Sequence, residues 1–179
     1  LVYSLPAAPP SAGGSVRDTK AQRAVSLTES FVSDAGATHT ATPHGYRPAE
    51  SKVSFFIGDD TRKHQANLNT YDRVNLGDVF PGVNVQLRAT GTNVEKIFTV
   101  APAQDPAQIQ VKIDGATSVE VGPQGELIAH TVNGPVTYTA PIAFQETADG
   151  SKHPVTVSYA LNAATHTYGF TLGDYDPRQ

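Results

Sequence analysis

Two imidazoles close together in the sequence, His39 and His44, are the first residues here whose type and spacing suggest chemistry. Neutral ring nitrogens can share a transition metal, but a stable site needs at least three ligands in fixed geometry. The surrounding Thr38, Thr40 and Thr42 supply no third ligand by spacing, so a solvated polar loop is the plainer reading. Asp59 and Asp60, with Asp72 and Asp78 further on, could offer oxygens to calcium. The EF-hand spacing is absent, and acidic residues at strand ends more often form turns by accepting backbone hydrogen bonds. The same applies to Asp174 and Asp176. His64, His130, His153 and His166 are scattered over separate turns or strands, and His130, between Ile128 and Val132, reads as a packed strand residue.

Hydrolysis would call for paired carboxylates in a cleft or a serine with His and Asp partners. The available glutamates, Glu29, Glu50, Glu95, Glu120, Glu126 and Glu146, mostly fall at turns or on outward strand faces. No G-x-S-x-G, H-E-x-x-H or Gly-rich phosphate loop occurs. The chain therefore reads as non-enzymatic, without a cofactor. Its aromatic residues, among them Phe55, Phe56, Tyr71, Phe80, Phe98, Tyr138, Phe144, Tyr159, Tyr168 and Phe170, are expected to be core. The lack of Trp argues against a sugar-stacking platform.

Composition sets the frame for these side chains. The 179 residues carry a net charge of −4 and no Lys/Arg cluster, which leaves nucleic acid and anionic lipid as poor partners. With 17% charged and 39% hydrophobic residues, most of the chain should fold. No Cys is present, so neither disulfides nor thiolate metal sites contribute. No apolar run approaches the ~18 residues of a membrane span. The absence of Met and of a leader at Leu1 suggests a processed portion of something longer.

The elements that must position any site are strands. Leu1 to Leu5 reads as a short strand, apolar enough to need a sheet partner, and a Pro/Ala/Gly/Ser stretch follows through Ser15. From Val16 to Glu50 no period is sustained, which predicts a long irregular arm, with one or two helical turns near Arg23 to Phe31. Lys52 to Ile57 is a predicted strand closed by Gly58-Asp59-Asp60, and another starts at Tyr71. Val83, Val85 and Leu87 alternate with polar residues, as do Ile109, Val111 and Ile113. Asn133-Gly134 is the strongest hairpin signal, since both positions tolerate positive φ. About ten short strands with turns every eight to twelve residues indicate an all-β domain over residues 51–179, an antiparallel β-sandwich or barrel-like sheet, preceded by the arm at 1–50. Negligible helix is expected from Ser51 to Asp176. Val85, Leu87, Phe98, Ile109, Val111, Leu127, Phe144, Val157, Tyr159 and Phe170 should be buried, and Phe98→Ala should cost about 3–5 kcal/mol.

Tyr71, Val74 and the run Gly77-Asp78-Val79-Phe80-Pro81-Gly82-Val83 resemble an uncharacterised bacterial domain that precedes SBBP (β-propeller-type) or Ig/PKD-like repeats in large secreted proteins. The likeness extends from Phe55-Phe56-Ile57-Gly58 through Phe98 to Pro102, Asp105-Pro106, Gly125-Glu126-Leu127 and Pro141 to Glu146, as far as Tyr175-Asp176. Asn84 stands where that family usually carries Asp. The resemblance implies a secreted or cell-surface, all-β, non-catalytic module whose partners are other domains of the same protein or neighbouring subunits. A filament or surface-layer subunit that lends the strand Leu1-Val2-Tyr3-Ser4-Leu5 to its neighbour, and an accessory domain of a secreted enzyme, are the competing expectations.

Overall fold

The computed structural model describes residues 1–5, 24–91 and 93–179. Its regular elements are strands and two three-residue 3-10 turns, Thr61–Lys63 and Pro106–Gln108. The chain divides into two compact units, one formed by Leu1–His39 with Asp105–Gln179 and the other by Thr40–Gln104.

The first unit opens with β1 (Val2–Leu5) and β2 (Val25–Phe31). The second unit holds β3 (His44–Phe55), β4 (Gln65–Phe80), β5 (Val83–Thr90) and β6 (Asn93–Val100), which form an antiparallel meander in sequential order. The chain then returns to the first unit with β7 (Val111–Asp114), β8 (Ser118–Val121), β9 (Leu127–Thr131) and β10 (Gly134–Tyr138). β11 (Ala143–Glu146), β12 (Lys152–Val155), β13 (Val157–Asn162) and β14 (Thr167–Leu172) complete it. Here a five-stranded sheet runs β1-β2-β7-β14-β13, beside a three-stranded sheet β10-β9-β8 and the hairpin β11-β12. The sheets are open and antiparallel; none closes into a barrel.

Strand alternation explains the core of the first unit. Leu27, Glu29 and Phe31 share one face of β2, Val111 and Ile113 one face of β7, and all five are buried with Tyr168 of β14. Val119, Leu127 and Ala129 are the buried residues of the smaller sheet. Each fully buried aliphatic side chain contributes about 1.5–3 kcal/mol relative to exposure. Tyr3 of β1 meets Tyr138 of β10 edge-on, with ring centroids 6.4 Å apart, which joins the two sheets at one margin. In the second unit Leu76, Val79, Phe80, Val83 and Val85 are buried. The long strand β4 is bent by register shifts at Asn75/Gly77 and Asp78/Phe80. Gly77 takes the first with φ +80 while its N–H donates to Asn75 Oδ1 at 2.8 Å.

Several sequence expectations are corrected. The stretch expected to be an irregular arm contains β2 and the start of β3, and the helical turns expected up to Phe31 are replaced by strand. Val-Ser-Leu-Thr-Glu-Ser-Phe alternates strictly; Glu29 in the buried row masks the period. β3 shows no period because nearly every residue on both its faces is exposed. The Pro/Ala/Gly/Ser stretch at 6–15 and the beginning of the expected arm and helical segment, 16–23, lie outside the described residues. β4 begins at Gln65 rather than Tyr71, its polar first half being held by pairing with β3. The loop between β9 and β10 is Val132-Asn133, and only the following Gly134 has positive φ, at 112°. Phe144 is 49% exposed on the two-stranded hairpin β11-β12, with Lys152 Nζ 4.1 Å from its ring centroid. Leu87, Phe98, Val157, Tyr159 and Phe170 are half-buried, so Phe98→Ala costs less than full burial implied. Val85, Ile109, Val111 and Leu127 are buried as expected.

Candidate functional site

Among the described residues Glu29 is the one charged residue buried in the core of the first unit, 3% exposed. An enclosed carboxyl is costly unless hydrogen-bonded, and its oxygens are met by phenols from opposite ends of the chain. Tyr3 O–H donates to Oε2 at 2.8 Å and Tyr168 O–H to Oε1 at 2.9 Å. The backbone adds to this, with Glu29 N–H donating to Leu1 O at 2.8 Å. Tyr138 and Tyr159 complete an aromatic wall. Tyr159 lies edge-on to Tyr168 at 5.5 Å and donates its O–H to Thr139 O at 2.9 Å.

Burial, followed by the nearby Glu29, raises all four phenols. Tyr159 is pushed up to about 12, and Tyr3, Tyr138 and Tyr168 are raised further. They stay protonated and therefore remain donors. The arrangement ties β1, β2 and β14 together around Glu29, which is 3% exposed. It is a clasp on the edge strand β1, whose register runs Val2↔Thr28 to Leu5↔Val25.

A second feature lies on the outer side of the same five-stranded sheet. An open trough of about 840 Å³ is lined by Asp34, Gln110, Lys112, Asn162 and Thr167, with Phe170 at its wall. Asp34, Gln110, Lys112 and Asn162 are engaged, within the trough or beside it. Gln110 Nε2–H donates to Asp34 Oδ1 at 2.5 Å, Lys112 pairs with Asp114 at 2.7 Å, and Asn162 Oδ1 accepts from Ala164 N–H at 3.1 Å.

A third feature is the end of the β3-β4 hairpin in the second unit. β5 pairs with β4 only from Arg73 onward, so the distal part, with Phe55 paired to Gln65 and Val53 to Leu68, is a two-stranded ribbon. At its tip Phe55, Phe56 and Ile57 are 48%, 66% and 74% exposed. The turn is braced from within. His64 Nε2 lies 3.0 Å from Gly58 O, its ring is edge-on to Phe56 at 5.5 Å, and Asp60 both caps the 3-10 turn and pairs with Arg62 at 2.9 Å.

The residues singled out as metal candidates form no group of three or more among the described residues. His39 ends the first unit, with its N–H donating to Phe31 O at 2.8 Å, and His44 starts β3 of the second. Asp60 is occupied by Arg62, and Asp59 is exposed beside it. Among the described residues no group of three or more His, Asp or Glu could hold a metal ion. Asp78 accepts from Asn84 Nδ2–H at 3.1 Å across β4 and β5. His130 is half-buried on β9, with Nε2 2.9 Å from Glu120 Oε1. Leu1 to Leu5 lie against β2 of the same chain. Sequence reasoning missed the Glu29 clasp; its available signal was a glutamate at an inward position of an otherwise regular alternation.

One protein-family model, described as Domain of unknown function (DUF7948), matches residues 1–179. No curated protein and no solved structure matches the chain.

Proposed function

Since the chain belongs to the DUF7948 family over its whole length, we propose that it is a non-catalytic extracellular module of a larger secreted or cell-surface bacterial protein. It works by packing and strand-edge contact with other domains of that protein or with neighbouring subunits. The observation that carries this reading is the β3-β4 tip. Three large apolar side chains, Phe55, Phe56 and Ile57, stand in solvent at the end of a braced ribbon, and clustered apolar exposure of this kind marks an interaction surface. An isolated two-stranded ribbon is marginal in water, so seating its tip on a partner stabilises both. Glu29, 3% exposed and accepting from two phenols, favours a structural use of that carboxyl over a catalytic one.

The test is to place a photo-crosslinking amino acid at Phe56, and separately at Ile57, in the full-length secreted protein. Cross-links to another domain of the same protein or to a neighbouring subunit are expected from both positions. Their absence at both would overturn the proposal.

A further inference from the structure

The five-stranded sheet ends at β13, and the character of that edge differs from the others. β3 carries Arg47 and Pro48, β6 Glu95 and Lys96, β8 Glu120, β10 Pro135, β11 Glu146, and β12 Lys152 and Pro154. Charges and prolines of this sort protect a sheet edge against strand addition. β13, Val157-Ser158-Tyr159-Ala160-Leu161-Asn162, has none, and it pairs with β14 through six consecutive residues without a register shift. β1 is also uncharged but is only four residues long.

The outward backbone groups of β13 follow from one bond. Gly173 N–H donates to Thr156 O at 2.8 Å in the continuing register, which makes that pair hydrogen-bonded. Alternation then turns the backbone groups of Ser158, Ala160 and Asn162 toward β14 and those of Val157, Tyr159 and Leu161 away from it. Among the described residues no backbone group bonds to this free side. The strand is also held rigid from within, by Tyr159 against Tyr168 and Phe170 and by its hydroxyl on Thr139 O.

Resting on the interaction-module reading, we propose that the free edge of β13 pairs antiparallel with β13 of a second copy of this chain, fusing two five-stranded sheets into one. The sequence is self-complementary for this. Centred on Tyr159, the pairing sets Val157 opposite Leu161 on the half-buried face and Ser158 opposite Ala160 on the exposed face. Apolar meets apolar, small meets small, and no like charges face each other. The contact is two-fold and closes on itself. Its area is below the ~1,200–2,000 Å² of a standard interface, so the equilibrium is weak and is read over a wide range of concentration.

Light scattering after size exclusion should show the mass of the 179-residue chain rising from monomer to dimer with concentration, and hydrogen exchange should slow at the amides of Val157, Tyr159 and Leu161. Ser158→Lys with Ala160→Lys places lysines opposite lysines, and should weaken dimerisation at least about tenfold. Ser158→Glu with Ala160→Glu should do the same, and mixing the two variants should restore the dimer. Both substituted positions are exposed, and unchanged circular dichroism of the variants verifies the fold. A parent that stays monomeric at every concentration, or double variants that dimerise like the parent, would overturn the proposal. Cross-links retained from Phe56 in either case would show that the edge pairing alone has failed, whereas dimerisation without those cross-links would sink the hairpin-tip reading and leave the edge.

Discussion

Tyr168 and Glu29, 139 positions apart in the chain, meet at 2.9 Å in the interior of the first unit. Tyr3 reaches the other oxygen of the same carboxyl at 2.8 Å. Three strands that are remote in sequence are therefore fastened at one point, and one of them is an edge strand.

Removing the Tyr168 hydroxyl should be costly because the group and its acceptor are both buried. Tyr168→Phe is expected to destabilise the chain by about 2 kcal/mol. Tyr3→Phe should cost less, since Tyr3 is only half-buried. The double variant should deviate from additivity, because both donors serve one acceptor. Chemical denaturation of the four proteins closes the cycle; strict additivity would mean that the two phenols act independently.

Alkaline pH should unfold the chain by ionising these phenols, which places negative charge in the interior beside Glu29. Their folded-state values lie above the ordinary 10, so the stability they contribute is fully present below about pH 10. It falls as the unfolded state ionises from there upward, and is lost as pH passes about 12 for Tyr159 and higher values for the rest. Ultraviolet titration should show four of the seven tyrosines ionising late and together with loss of β-structure. Seven tyrosines titrating as one ordinary class would contradict it.

Gly115 follows β7 with φ +94, and a Cβ there would strike the Ser26 carbonyl oxygen of β2. Gly36 has φ +76 but open space around it. Gly36→Ala should cost only the left-handed penalty of about 1–2 kcal/mol. Gly115→Ala should cost clearly more, since backbone must also move. Thermal melts of the two variants compare them directly, and an equal loss would show that the β2-β7 margin yields freely.

Asn84→Asp would set a second carboxylate against Asp78 in place of an amide donor. The expected loss is about 0.5 kcal/mol at neutral pH. Salt screens repulsion between exposed charges, so the difference from the parent should shrink as ionic strength rises. Melting at low and high salt measures it; an undiminished loss at high salt would point to packing rather than charge.

Much of the fold was legible where a strand has one dry and one wet face. Val83 and Val85, Ile109 and Val111, and Leu127 with Ala129 follow that rule. β2 was obscured because its inward row contains Glu29, whose hydrogen-bond partners lie at Tyr3 and Tyr168 and cannot be inferred from neighbours. β3 was obscured for the opposite reason, with both faces wet. Phe55 and Phe56 were expected in the core because hydrophobicity alone does not distinguish a residue that seals a fold from one presented at a hairpin tip. The division into two units was equally hidden, since the pairing of Phe31 with Val111 is a relation between distant segments that no local window contains.

That pairing has a kinetic consequence. β2 and β7 are neighbours in one sheet, yet the whole of Thr40–Gln104 lies between them in the chain. Among the described residues the interposed strands pair with sequential neighbours, β4 to β5 through a tight turn and β3 to β4 through the longer stretch 56–64. Such local topology forms quickly, whereas closing β2 onto β7 carries the entropy of a long loop. Compaction of the insert shortens the distance that remains to be searched. Refolding monitored by pulsed hydrogen exchange should protect the amides of β4 and β5 before those of β2 and β7; simultaneous protection would place both units in one nucleus.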